Sequence, residues 1–195
     1  MPTLVHEFDW PDRFVVGTVG RPGERTFYLQ ARTGARSTSV ALEKEQSAVL
    51  AEKIDELLDE LVADQTNGVS VPADIPVELI DNDPLDQPVE EQFRAGAMLL
   101  GWDPKTSQIV IEAYPVEAPP DEDDVAPDPD ADGPSEVLLV RIPVGTARAF
   151  VQRTRQVVRA GRPTCVICGK PVDEDGHACV PPDDVLPDDV LPDDV

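Results

Sequence analysis

Cys165-Val-Ile-Cys168 and His177-Ala-Cys179 form the stretch of this sequence best suited to metal chemistry. The pattern reads C-x2-C-x8-H-x-C. A tight turn at the first pair puts two thiolates on one side, and Gly169 lets the backbone pass beneath the second sulfur. Residues two apart on an extended segment point the same way, so His177 and Cys179 form a second pair. Asp173-Glu-Asp-Gly176 is the turn that brings the pairs together. Three thiolates and one imidazole fill a tetrahedral shell with no open position, which predicts a structural zinc ribbon. The predicted ligands are Cys165, Cys168, His177 and Cys179, and a closed shell predicts stabilisation rather than catalysis. Three alternatives compete. A redox C-x-x-C would open a helix, whereas Gly169-Lys-Pro171 does not continue as one. A disulfide with a spare thiol requires export, which nothing in the sequence indicates. An iron–sulfur centre fits a His-containing, closely spaced set less well than zinc does.

Other candidate chemistry is thin. His6 has Glu7 and Asp9 beside it and Trp10 after it, which reads as a surface patch. No second His outside the metal motif completes a triad, and no Cys is left over as a nucleophile. The Gly-rich Gly17–Gly23 run opens no helix, so it is not a phosphate cradle. Gln30 and Glu112 occupy matching strand positions, where they line either a pocket or a solvated strand face. An enzymatic role is therefore disfavoured.

The elements that must position these residues alternate. Strands are predicted at Arg13–Gly20, Thr26–Arg32 and Ser37–Leu42, then a helix over Lys44–Ala63. Leu50, Ile54, Leu57, Leu58 and Leu61 share one face of that helix. Strands at Gln92–Trp102, Gln108–Tyr114 and Val137–Ile142 follow, then a helix over Val144–Ala160. The order βββα occurs twice. Phe14-x-x-Gly17 matches Phe93-x-x-Gly96, and Leu50, Ile54, Leu57 and Leu58 keep a constant offset from Phe150, Thr154, Val157 and Val158. The expected fold is α+β: duplicated βββα units forming a mostly antiparallel six-stranded sheet or half-barrel with two packed helices, plus the ribbon.

That reading divides the chain into a first unit at 1–66, a linker at 67–90, a second unit at 91–162, the ribbon at 163–180 and a tail at 181–195. Pro72, Pro76, Pro84 and Pro88 mark the linker. The insertion 117–136 carries nine acids and five prolines, and the tail repeats PDDVL. Both are expected to be disordered.

The 195 residues carry a net charge of −23. This disfavours nucleic acid or an anionic membrane as a partner of the whole chain. No apolar run approaches the ~20 residues of a membrane span. The N-terminus has no basic or apolar leader, so a secretory signal is not expected. The acid is unevenly placed. The first helix has Glu45, Glu52, Asp55, Glu56, Asp59 and Glu60, whereas the second has Arg148, Arg153, Arg155 and Arg159 and no acid. These faces either lie side by side or offer the arginines to an acidic partner, for which the chain's own loop and tail are candidates.

Three segments together resemble a known family: FDWPDRFVVGTVGRPGERTFYLQAR, SVALEKEQSAVLAEKIDELL and RAGRPTCVICGKPVDEDGHACV. The chain looks like a member of an uncharacterised actinobacterial family, catalogued as a domain of unknown function. The resemblance runs to about Cys179. Members end in the same C-x-x-C-G-x-P…G-H-x-C ribbon, which implies the same four ligands by position. They commonly continue with a short basic stretch, where this chain has PDDVL. The resemblance implies a coherent fold and a cytoplasmic location, but no activity. The leading expectation is a non-enzymatic zinc-ribbon binding or adaptor protein with an unidentified protein partner. The alternatives are nucleic-acid binding through the Arg-rich helix and ribbon, and an enzyme with a pocket between the halves.

Overall fold

The computed structural model describes residues 3–21, 23–64, 70–72, 75–116, 135–160, and 165, 167, 168, 172 and 179. They fall into two compact units, Met1–Ala160 and Gly161–Val195. The insertion's residues 117–134 and the PDDVL tail lie outside the described residues.

In the first unit the strands are β1 (Leu4–Asp9), β2 (Arg13–Val19), β3 (Thr26–Thr33), β4 (Arg36–Leu42), β5 (Glu91–Asp103), β6 (Gln108–Pro115) and β7 (Glu136–Pro143). Helix α1 spans Lys44–Ala63 and α2 spans Val144–Arg159, with a short 3-10 turn at Val77–Leu79. The fold is α+β, and the sheet order is β1-β7-β6-β5-β4-β3-β2. Two antiparallel meanders, β2-β3-β4 and β5-β6-β7, join where β4 runs parallel to β5. Each meander is followed by a helix.

The seventh strand, β1, is an addition to the six expected. It pairs in parallel with β7, Leu4 opposite Glu136 and Phe8 opposite Val140. This placement forces the sheet to curl. β1 and β2 are its two edges, yet only Trp10, Pro11 and Asp12 separate them in sequence. Seven flat strands would put their edges about 29 Å apart, while that connection reaches roughly 14 Å at most. Contacts across the gap agree: the Arg36 guanidinium sits 4.2 Å from the centre of the Phe8 ring, and Arg36 Nη2 donates to Glu7 O.

One face of the sheet is apolar across its whole width. Val16, Leu29, Val40 and Phe93 are successive cross-strand neighbours, as are Leu100, Ile111, Val140 and Phe8. Both helices contribute to the same core. From α1 come Leu50, Ile54, Leu58 and Leu61, with Leu57 partly buried; from α2 come Ala147, Phe150 and Val151. Full burial of each Leu, Ile or Phe is worth about 1.5–3 kcal/mol. The Phe14 and Phe150 rings stack at 4.7 Å and tie α2 to β2. α1 starts with a reciprocal cap in which Gln46 Oε1 accepts from Glu43 N–H at 2.8 Å.

The segment read as a linker does more than connect. After the turn at Val77–Leu79 it crosses β2 and lays Leu85, 5% exposed, against Gly17 on the sheet's other face. A methyl at Gly17 would sit 2.5 Å from Leu85 Cγ, so this strand position admits only hydrogen.

Candidate metal centre

In the second unit, the ligand atoms of Cys165, Cys168 and Cys179 all lie within 4.8 Å of one another. Cys165 Sγ and Cys179 Sγ are 3.7 Å apart, too far for a disulfide. Zinc–sulfur bonds of about 2.3 Å at tetrahedral angles give sulfur–sulfur edges of about 3.8 Å. The thiol spacing therefore fits the shell of a tetrahedral metal. Backbone N–H groups aim at the sulfur of Cys165; Ile167 N donates to it at 3.4 Å. The amides of Cys168 and Ile167 bring the Cys165 thiol down to about 7. Desolvation and the neighbouring thiols of Cys165 and Cys168 push Cys179 up to about 11. Three sulfurs this close cannot all ionise without a cation among them, and soft thiolate donors suit zinc among common metals. Of the four ligands predicted from sequence, three come together; His177 lies outside the described residues.

Elsewhere the structure assigns structural work to the side chains singled out. His6 is part-buried and pairs through Nε2 with Glu136 Oε2 at 2.9 Å. Asp9 accepts from Gln108 Nε2 at 2.8 Å. Gln30 is buried and bonds Ser39 Oγ at 3.0 Å. Glu112 instead accepts from the Tyr114 hydroxyl. Gln30 and Glu112 thus meet different partners rather than lining a shared pocket.

Three of the four arginines of α2 are paired within the first unit. Arg148 Nη1 and Arg155 Nη2 share Asp55 of α1, at 3.3 and 2.7 Å. Arg153 is buried; its Nε donates to Val16 O at 3.1 Å and its Nη1 to Asp81 Oδ1 at 2.6 Å. Arg13 Nε reaches Asp81 Oδ2 at 2.6 Å. Burial alone would raise the Asp81 carboxyl, but the hydrogen bonds from Arg13 and the Asp83 amide, with the Arg153 charge, hold it below its ordinary 3.8. Burial pushes the Arg153 guanidinium below its ordinary range, against the pull of Asp81. A cavity of about 190 Å³ beside this cluster is bounded by Phe14, Glu78, Thr146 and Phe150. Composition could not single out Asp81, because one Asp among so many acids carries no local signal.

The chain matches the family described as "Protein of unknown function (DUF3090)" over residues 6–179. The chain belongs to the DUF3090 family. The DUF3090 match takes in all four C-x2-C-x8-H-x-C positions and stops at the last cysteine, before the PDDVL repeats. No curated protein and no solved structure matches the chain. Among the described residues no helix is long and apolar enough to cross a membrane.

Proposed function

We propose that this DUF3090 protein is a non-enzymatic zinc-ribbon binding or adaptor protein. Cys165, Cys168, His177 and Cys179 are the four ligands in this reading. The observation that carries it is the triangle of thiols, with its 3.7 Å Cys165–Cys179 edge. Zinc there would cross-link the short second unit in place of a hydrophobic core and leave no position open for a substrate. Thiols of Cys165 and Cys179 held 3.7 Å apart without a disulfide agree with a reducing, cytoplasmic setting.

The reading also takes the βββα units as a duplication. Its support is that both meanders start from a buried Phe, Phe14 or Phe93, and both pass into a helix. Internal pairing of Arg148, Arg153 and Arg155 weighs against nucleic acid as the partner.

Native mass spectrometry tests the metal. One zinc per chain is expected, lost in Cys168→Ser, and cobalt substitution should give the absorption of a tetrahedral thiolate site. Metal-free protein with three titratable thiols and an intact fold would overturn it.

A further inference from the structure

β5 is 13 residues long, but β4 accompanies it only as far as Arg94. From Met98 to Asp103 it pairs with β6 on one side, and among the described residues no strand lies on the other. The ladder ends there because β4 stops at Leu42 and the chain turns into α1. Gln46 Nε2 covers the first two exposed carbonyls, Ala95 O and Gly96 O, both at 3.0 Å. Beyond Gly96 a mostly apolar groove of about 370 Å³ lies between β5 and the first half of α1.

Its lining shows how it runs. Met98, Leu99 and Leu100 all touch it, although successive strand residues point to opposite faces. A groove met by three in a row follows the strand's edge, where backbone N–H and C=O groups point. Val49 forms the opposite wall at 51% exposure, and Leu99 is 57% exposed. An open strand edge flanked by a helix is the setting in which extended peptides add to a sheet. Main-chain bonds give the affinity there, and alternate side chains enter the apolar pocket.

We propose that this groove binds an extended peptide of a partner protein, added as a further strand on β5. Charge complementarity sets its composition. The α1 segment beside the groove carries Glu45 and Glu52 against Lys44, Lys53 is already paired with Glu56 at 2.6 Å, and the chain as a whole is at −23. The partner peptide is therefore apolar at the alternate positions that face the groove and basic at those between. This rests on the binding reading above for its purpose, but not on the metal.

The test uses the full chain and an eight-residue, end-capped peptide of alternating valine and lysine, with zinc content measured on the same sample. Binding is expected, with slowed amide exchange at Met98–Trp102. A probe N-methylated along one edge should bind at least about tenfold more weakly, because it keeps its side chains and charge but loses the ladder. Val49→Lys should weaken binding similarly. Val62→Lys, the same change at an exposed site further along α1, should leave it within about twofold. No binding, equal binding of the N-methylated probe, or equal losses in both lysine variants would overturn the proposal. If zinc is retained, any of these failures leaves the metal reading standing.

Discussion

Gln30 and Asp86 bind each other twice. Gln30 Nε2 donates to Asp86 O at 3.1 Å, and Gln30 Oε1 accepts from Asp86 N–H at 2.8 Å. A side-chain amide here does what a neighbouring strand would do, giving the segment after Pro84 a backbone partner on the outer face of the sheet. Arg32 adds to the clamp through Asp86 Oδ2 at 2.9 Å.

Gln30→Leu keeps the bulk and removes both bonds. Two backbone groups of Asp86 then lose their partner, a cost of about 1–3 kcal/mol. Urea denaturation should show this loss, with faster amide exchange at Asp86. Unchanged stability would mean that water replaces the amide.

Asp81→Asn leaves Arg153 and Arg13, each with a side chain only 10% exposed, facing a neutral group there, while Arg13 keeps Asp86 at 3.2 Å. The expected loss is about 3 kcal/mol at neutral pH. The Asp81 carboxyl lies below 3.8 in the folded state, so its contribution is complete above that value and fades as pH falls through the folded value. The stability gap between wild type and Asp81→Asn should be constant from pH 7 to about 5 and close below about 4. A constant gap down to the most acidic pH at which the protein folds would contradict the ion-pair account.

Gly17→Ala should cost roughly 1–3 kcal/mol, because its methyl meets the Leu85 side chain. In the Leu85→Ala background the same substitution should cost far less. Thermal melts of the two single variants and the double variant give the coupling directly.

Nucleic acid should bind weakly or not at all. Removing the residues after Val180 takes away six Asp and moves the net charge from −23 to −17. Binding should stay weak even then, since Arg148 and Arg155 are held by Asp55 and Arg153 by Asp81. A salt series with both forms checks this, and tight, salt-sensitive binding by either would contradict it.

Most of the helices and meanders could be read from residue order because their signals are local. α1 was expected at Lys44–Ala63 and lies there, and α2 ends at Arg159, one residue short of expectation. What escaped depends on distant partners. Only Phe8 of β1 is buried, so Leu4–Asp9 shows no clean alternation, and its ladder is made with β7, far along the chain. The proline-rich stretch read only as a linker because its order comes from Arg13, Gln30 and Arg153 rather than from its own periodicity. The thiol cluster was legible because four ligand-type residues at short spacing have few other readings. The groove was not, since an open edge is a property of where β4 stops.

Joining the two edges of the sheet through Trp10–Asp12 has a consequence for biosynthesis. β1 leaves the ribosome before the other strands of this sheet and is the last that can be placed, for His6 must wait for Glu136, 130 residues downstream. At about 5–20 residues per second that wait is roughly 7–26 s. Throughout it the nascent chain carries Leu4, Val5 and Phe8 without their strand partner, and a ribosome-bound intermediate lacking β7 should be the species most dependent on a holding chaperone.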